Sequence, residues 1–179
     1  MESPLEHVLM AFNKQEMMAW LDAHPESFTE AVQLAVADKQ PCSWRSAWLL
    51  WGCMEDNDPR IRPFIPKIVE CLETKRDGHQ RELLKILLRM ELSEEHEGYL
   101  FDLCMNVWEK IGKAPSVRHN AFRMIVRIAL KYPELLNDIA FITQSHYIDS
   151  LSPGVRRAVL KMIPEPSCCT SIRSLKFSG

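Results

Sequence analysis

The chain has 179 residues, a size at which a single compact domain buries most of its apolar surface without a metal or disulfide staple. Apolar residues make up 46% and charged residues 26%, which sets aside disorder, collagen and coiled-coil rod. The formal charge of -2 argues against a protein built mainly to neutralise phosphate, and six glycines with neither a P-loop nor a dinucleotide fingerprint argue against nucleotide chemistry.

Taken in order, the chain reads as helix throughout, with no sustained period-two alternation between hairpin turns. The opening MESPLEHVLMAF has no basic stretch ahead of an apolar run, so no signal peptide is expected. Ser3-Pro4-Leu5-Glu6 combines an N-cap, a proline at the first helical position and a glutamate placed to close a capping box. Ser27 with Glu30, Asp58 with Pro59, Asp77 with Gln80 and Ser152 with Pro153 repeat this start chemistry, giving about ten helices. The longest strongly apolar run, Ala47 to Met54, falls well short of the roughly 20 residues that cross a bilayer. Cys42, Cys53, Cys71 and Cys104 sit inside apolar helical patterns, as reduced, core-filling thiols do, and a cytoplasmic location is expected.

A repeat runs through the middle. Arg45, Arg81, Arg118 and Arg156 each open a helix, at spacings of 36, 37 and 38 residues. Phe28, Phe64, Phe101 and Ile139 each lie 17 residues upstream, so two helices make one unit. Three residues after each arginine stand Trp48, Leu84, Ala121 and Val159; six after stand Trp51, Leu87, Met124 and Met162. These offsets share one face, assigned here to the core together with Phe101 and Trp108. The offsets one, four, five and eight residues on are read as outward columns. A lone hairpin cannot bury its stripe, whereas stacked hairpins bury all of them in one core.

The period, the two-helix unit, the Asp58-Pro59-Arg60-Ile61-Arg62-Pro63 lead-in and the valine-arginine openings at 117–118 and 155–156 resemble HEAT repeats of the armadillo-type class. The aspartate usual shortly before the arginine is missing; Lys39, Lys75, Gly112 and Ser150 stand six residues upstream. The reading is an all-α superhelix, a short solenoid of about four HEAT-like hairpins, with residues 1–26 as an amino-terminal cap, 27–163 as the hairpins, and 164–179 as a carboxyl-terminal tail. The resemblance implies a curved stack with second helices on the inner face, and a protein-binding scaffold more often than an enzyme.

Each polar feature has a structural alternative. The four arginines could line a groove, but their place at helix starts beside the apolar stripe favours bridging to the neighbouring hairpin. Trp44, Trp48 and Trp51 share a helix face, which in an apolar helix reads as core rather than as a stacking platform. The opposite face holds Leu49, Leu50 and Cys53, so either the cap or a partner must cover it. His7, His24, His79, His96, His119 and His146 lack metal-ligand spacing, and no catalytic constellation, cofactor or metal site is expected.

Charge is divided along the chain. Residues 1–102 carry 11 basic and 19 acidic side chains, net -8; residues 103–179 carry 11 and 5, net +6. The expected binding residues are therefore Lys85, Arg89, His119, Phe122, Arg123, Arg157 and Lys161, on the outward columns of three successive second helices, with a protein partner offering an acidic segment. The expected function is a non-catalytic protein-interaction module. The alternative is a HEAT-like nucleic-acid-binding protein related to alkylpurine DNA glycosylases, disfavoured by the net acidity and by the lack of an aspartate on those columns.

Overall fold

The computed structural model describes residues 2–163, and the tail expected at 164–179 lies outside them. Two short helices come first, α1 (Pro4–Ala11) and α2 (Lys14–Ala23), then α3 (Phe28–Val36), α4 (Cys42–Cys53), α5 (Ile65–Cys71), α6 (Asp77–Leu87), α7 (Glu94–Glu109), α8 (Pro115–Lys131), α9 (Leu136–Ile142), the single turn α10 (Ser145–Ile148) and α11 (Pro153–Met162). No strand occurs among the described residues.

Local chemistry sets several of these starts. Ser3 and Glu6 form the expected capping box. Asn13 and Glu16 form a second one at α2, a signal the sequence carries in plain form. Ser27 does not cap, because a 3-10 turn at Pro25–Ser27 carries the chain straight into α3. Asp58 also starts no helix. Its carboxylate is 1% exposed and accepts the backbone N–H groups of Glu55 and Arg60 and the guanidinium of Arg60, forming a knot between α4 and α5. Hydrogen bonding to Arg60 pulls its pKa down to about 2.

The hairpins stack as first helices α3, α5, α7 and α9, and second helices α4, α6, α8 and α11. Second helices pack on one another in sequence, α4 on α6, α6 on α8 and α8 on α11, more extensively than α3 meets α5 or α5 meets α7. α1 and α2 both pack on α4. The cap therefore covers the second apolar face of that helix. Leu5, Val8, Leu9, Met17 and Leu21 are buried there, and Gly52 is a point of close approach, since a Cβ on it would lie 3.3 Å from Met18 Sδ.

The burial pattern corrects the assigned face. Leu84, Leu87, Phe101, Trp108, Met124 and Val159 are buried, but Trp48 and Trp51 are only half-buried, while Ser46, Leu49 and Leu50, read as outward, are buried. Glu82, Ile86, Phe122 and Val126 are buried as well. The reason is the number of neighbours. A second helix inside a stack touches its own first helix and a second helix on either side, so its buried arc exceeds half its circumference and one narrow column remains for solvent.

Polar side chains tie the units together. Lys75 donates to the carbonyl of Ala37 at 2.8 Å, and Lys113 to Asp77 and Gln80 at 2.8 and 3.0 Å; Lys39 pairs with Glu6. Three lysines in the loops within hairpins thus reach back to the preceding unit; Lys39 and Lys75 hold the place six residues before the arginine, where the aspartate is missing, and Lys113 stands one residue after it. In the last hairpin Ser150 takes that place and accepts from Arg118 at 2.8 Å.

Candidate functional site

The solvent column of each second helix can be read off its burial. On α4 it is Trp44, Trp48 and Trp51; on α6, Arg81 and Lys85, continued by Arg89 two residues past the helix end; on α8, His119, Arg123 and Arg127; on α11, Arg157 and Lys161 with Leu160. Spacings of three or four residues put each set on one helix face. Relative to the arginine used for alignment, the column moves one residue later from α4 to α6 and again from α6 to α8. The four arginines accordingly do not share an environment: Arg118 is 1% exposed, Arg45 and Arg81 are half-buried, and Arg156 is exposed.

Arg118 serves the stack rather than a groove. Its guanidinium donates to the carbonyls of Trp108 and Tyr147 at 2.9 and 2.7 Å and to Ser150, and it lies 4.7 Å from the Trp108 ring centroid. Gln80 in α6 does the corresponding work, donating to the carbonyl of Leu72 at 3.0 Å. Arg45 donates to the carbonyl of Phe12 in the cap, and Arg156 pairs with Asp149.

The seven expected binding residues divide. Lys85 sits over the Trp51 ring, 3.6 Å from its centroid, and pairs with buried Glu82, which also holds Arg81. Arg89 donates to Trp51 O at the end of α4 and pairs with Asp56. Arg127 repeats the arrangement one unit on, donating to Leu87 O and Met90 O at the end of α6. Both satisfy orphan helix-end carbonyls with a cation. His119 is half-buried, and burial together with the Arg123 charge lowers its pKa, so it stands neutral near pH 7. Phe122 corrects the expectation: it is fully buried, its ring centroid 4.7 Å from that of Trp108, and no partner can reach it. Arg123, Arg157 and Lys161 are exposed and form no ion pair among the described residues.

The indoles were missed as surface because an aromatic stripe on an apolar helix normally faces a core. The signal available was the second stripe of the same helix, Leu49 and Leu50, which is the better core former. What the surface offers chemically is a run of cations beside half-exposed indoles and a neutral imidazole. No group of three or more His, Cys, Asp or Glu side chains is placed to hold a metal among the described residues.

A family model, described as HEAT repeat domain, matches residues 1–165. The chain belongs to the HEAT repeat family. The match takes in α1 and α2 as well as the four hairpins, so these HEAT repeats and their cap fall under one model. Neither the curated proteins nor the solved structures give a match. HEAT repeats are of protein-interaction type and generally not enzymatic, and no described helix of this one is long and apolar enough to cross a membrane.

Proposed function

We propose that this HEAT repeat protein is a non-catalytic interaction module that holds an acidic segment of a partner protein along the solvent column of its second helices. The observation that carries the reading is the composition of the last two of them: α8 and α11 contain no acidic side chain, and Arg123, Arg157 and Lys161 stand exposed on them. Charges so arranged speed encounter with an oppositely charged surface more than they deepen affinity. A cytoplasmic location belongs to the same proposal, supported by four free cysteines at 42, 53, 71 and 104. The test uses a co-purifying partner and the double variant Arg123→Glu/Lys161→Glu, which stays folded because both side chains are exposed. Association should slow by about tenfold, with a smaller effect in high salt. Capture at wild-type rate and strength would move the site elsewhere.

The half-exposed indoles favour a second reading, nucleic-acid binding, since aromatic faces beside cations suit stacked bases and phosphates. A duplex DNA titration across a salt series decides it: a steep loss of affinity with salt supports it, and a weak, flat response removes it.

A further inference from the structure

A cleft of about 380 Å³ opens where the first unit meets the second, lined by Gln40, Pro41 and Trp44 on one side and by Arg76, Gly78, His79 and Arg81 on the other. Its size is at the low end of ligand pockets, roughly 300–1,000 Å³. The walls are mostly apolar, the rim cationic. Trp44 is half-exposed and its indole N–H finds no acceptor among the described residues. Exposed Gln40 is tied to buried His79: the Gln40 amide donates to His79 Nδ1 at 3.0 Å and His79 Nε2–H donates to Ala35 O at 2.7 Å. Those two bonds fix the shape of the cleft. Gly78 is part of the lining, and a Cβ on it would meet nothing within 4 Å, so a side chain can be added there.

The rim charges are not cancelled. Arg76 is exposed and makes no side-chain ion pair among the described residues, and buried Glu82 is shared between Arg81 and Lys85, leaving that trio net positive. Arg81 also belongs to the solvent column described above. The groove between the first helices α5 and α7 differs in sign: lined by Glu70 and Glu95 beside Tyr99, it would repel a carboxylate.

We propose that this cleft is the anchor site of the acidic partner segment, taking one large apolar or aromatic side chain against Trp44 and Pro41 while flanking carboxylates meet Arg76 and Arg81. The proposal rests on the interaction reading and adds a sequence preference to it: an aromatic or leucine-like residue between acids. An anchor in an apolar pocket ringed by charge is the usual source of most of the affinity in such contacts.

The test uses the full chain and a fluorescein-labelled, end-blocked peptide, Glu-Glu-Phe-Glu-Glu, read by anisotropy. Gly78→Leu adds bulk to the lining without touching a charge, and Trp44→Ala removes a wall; melting curves report whether each stays folded. The peptide should bind wild type, with either variant weakening it by about tenfold or more, as should alanine in place of its phenylalanine. Wild type ignoring the peptide, folded Gly78→Leu binding it unchanged, or the alanine peptide binding equally well would each overturn the proposal. So would a labelled twelve-nucleotide single strand that binds in a Gly78-dependent way while the peptide does not. If Gly78→Leu leaves a captured partner bound and Arg123→Glu/Lys161→Glu releases it, the cleft fails and the interaction reading stands. If the double reversal changes nothing but Gly78→Leu abolishes peptide binding, the column fails and the cleft stands.

Discussion

Arg118 is a cation buried without a carboxylate, held by two carbonyls, a hydroxyl and an indole face. Burial lowers its pKa, yet a guanidinium remains charged in any ordinary buffer. Its planar fork sends a separate nitrogen to each of three acceptors set apart from one another, whereas an ammonium donates all its hydrogens from a single nitrogen, so Arg118→Lys should cost about 2–4 kcal/mol in urea unfolding even though charge is kept. A loss under about 1 kcal/mol would mean that the carbonyls find other donors. His79 gives a pH effect. Burial lowers its pKa from 6.5, so the unfolded chain takes up a proton before the native one does. Stability is therefore full above pH 6.5 and falls as pH drops below it, with His119 adding the same sign. Urea midpoints measured from pH 7.5 to 5 should fall, and His79→Gln should flatten part of the slope.

At the scale of helices, α4 is the element whose role the tertiary contacts settle. It is apolar on both faces, and α1 and α2 cover the face that α3 and α6 leave open. Gly52 marks how close the cap comes. Met18 is flexible, so the methyl of Gly52→Ala can be absorbed by a small shift of its thioether, and a near-neutral result is expected. Gly52→Val cannot be absorbed in the same way and should lower stability by about 1–3 kcal/mol, seen as an earlier thermal transition. An unchanged transition in Gly52→Val would show that α2 does not sit tightly on α4. The same proximity places Lys14 beside Trp48 and Trp51, at 5.2 and 5.9 Å from their centroids, so the cap contributes a cation to the second-helix face.

For the whole molecule, one buried cluster runs without a break from Leu5 in the cap to Val159 in the last hairpin. Neighbouring units share that core and the lysine and arginine ties, so a stack this short should unfold in one step. Leu9→Ala in the cap and Leu87→Ala in the middle should each cost about 2–5 kcal/mol and shift one common transition, followed by both far-ultraviolet circular dichroism and tryptophan fluorescence. Two separate transitions in Leu9→Ala would make the cap an independent unit. Trp48→Ala should cost less than Leu87→Ala, because its indole is only half-buried.

Period and pattern were legible in the residues themselves. The 17-residue offset within each unit, the near-constant spacing between units and the absence of strand alternation determine a stack of helical pairs, because each is local along the chain. Which column of a second helix faces water was not legible. An apolar helix between three neighbours buries more than half its circumference, and the choice between the tryptophan stripe and the leucine stripe of α4 depends on where α1, α2 and α6 lie. The same holds for the charges. Sequence alone separates an acidic first part from a basic second part, but only the packed structure decides that Glu82 is sealed between Arg81 and Lys85, that Arg89 and Arg127 close helix ends, and that Arg123, Arg157 and Lys161 are left to solvent. A charge acts through what surrounds it in three dimensions, and those surroundings come from residues 30 to 40 positions away, as in Arg127 reaching Met90 and Arg118 reaching Ser150.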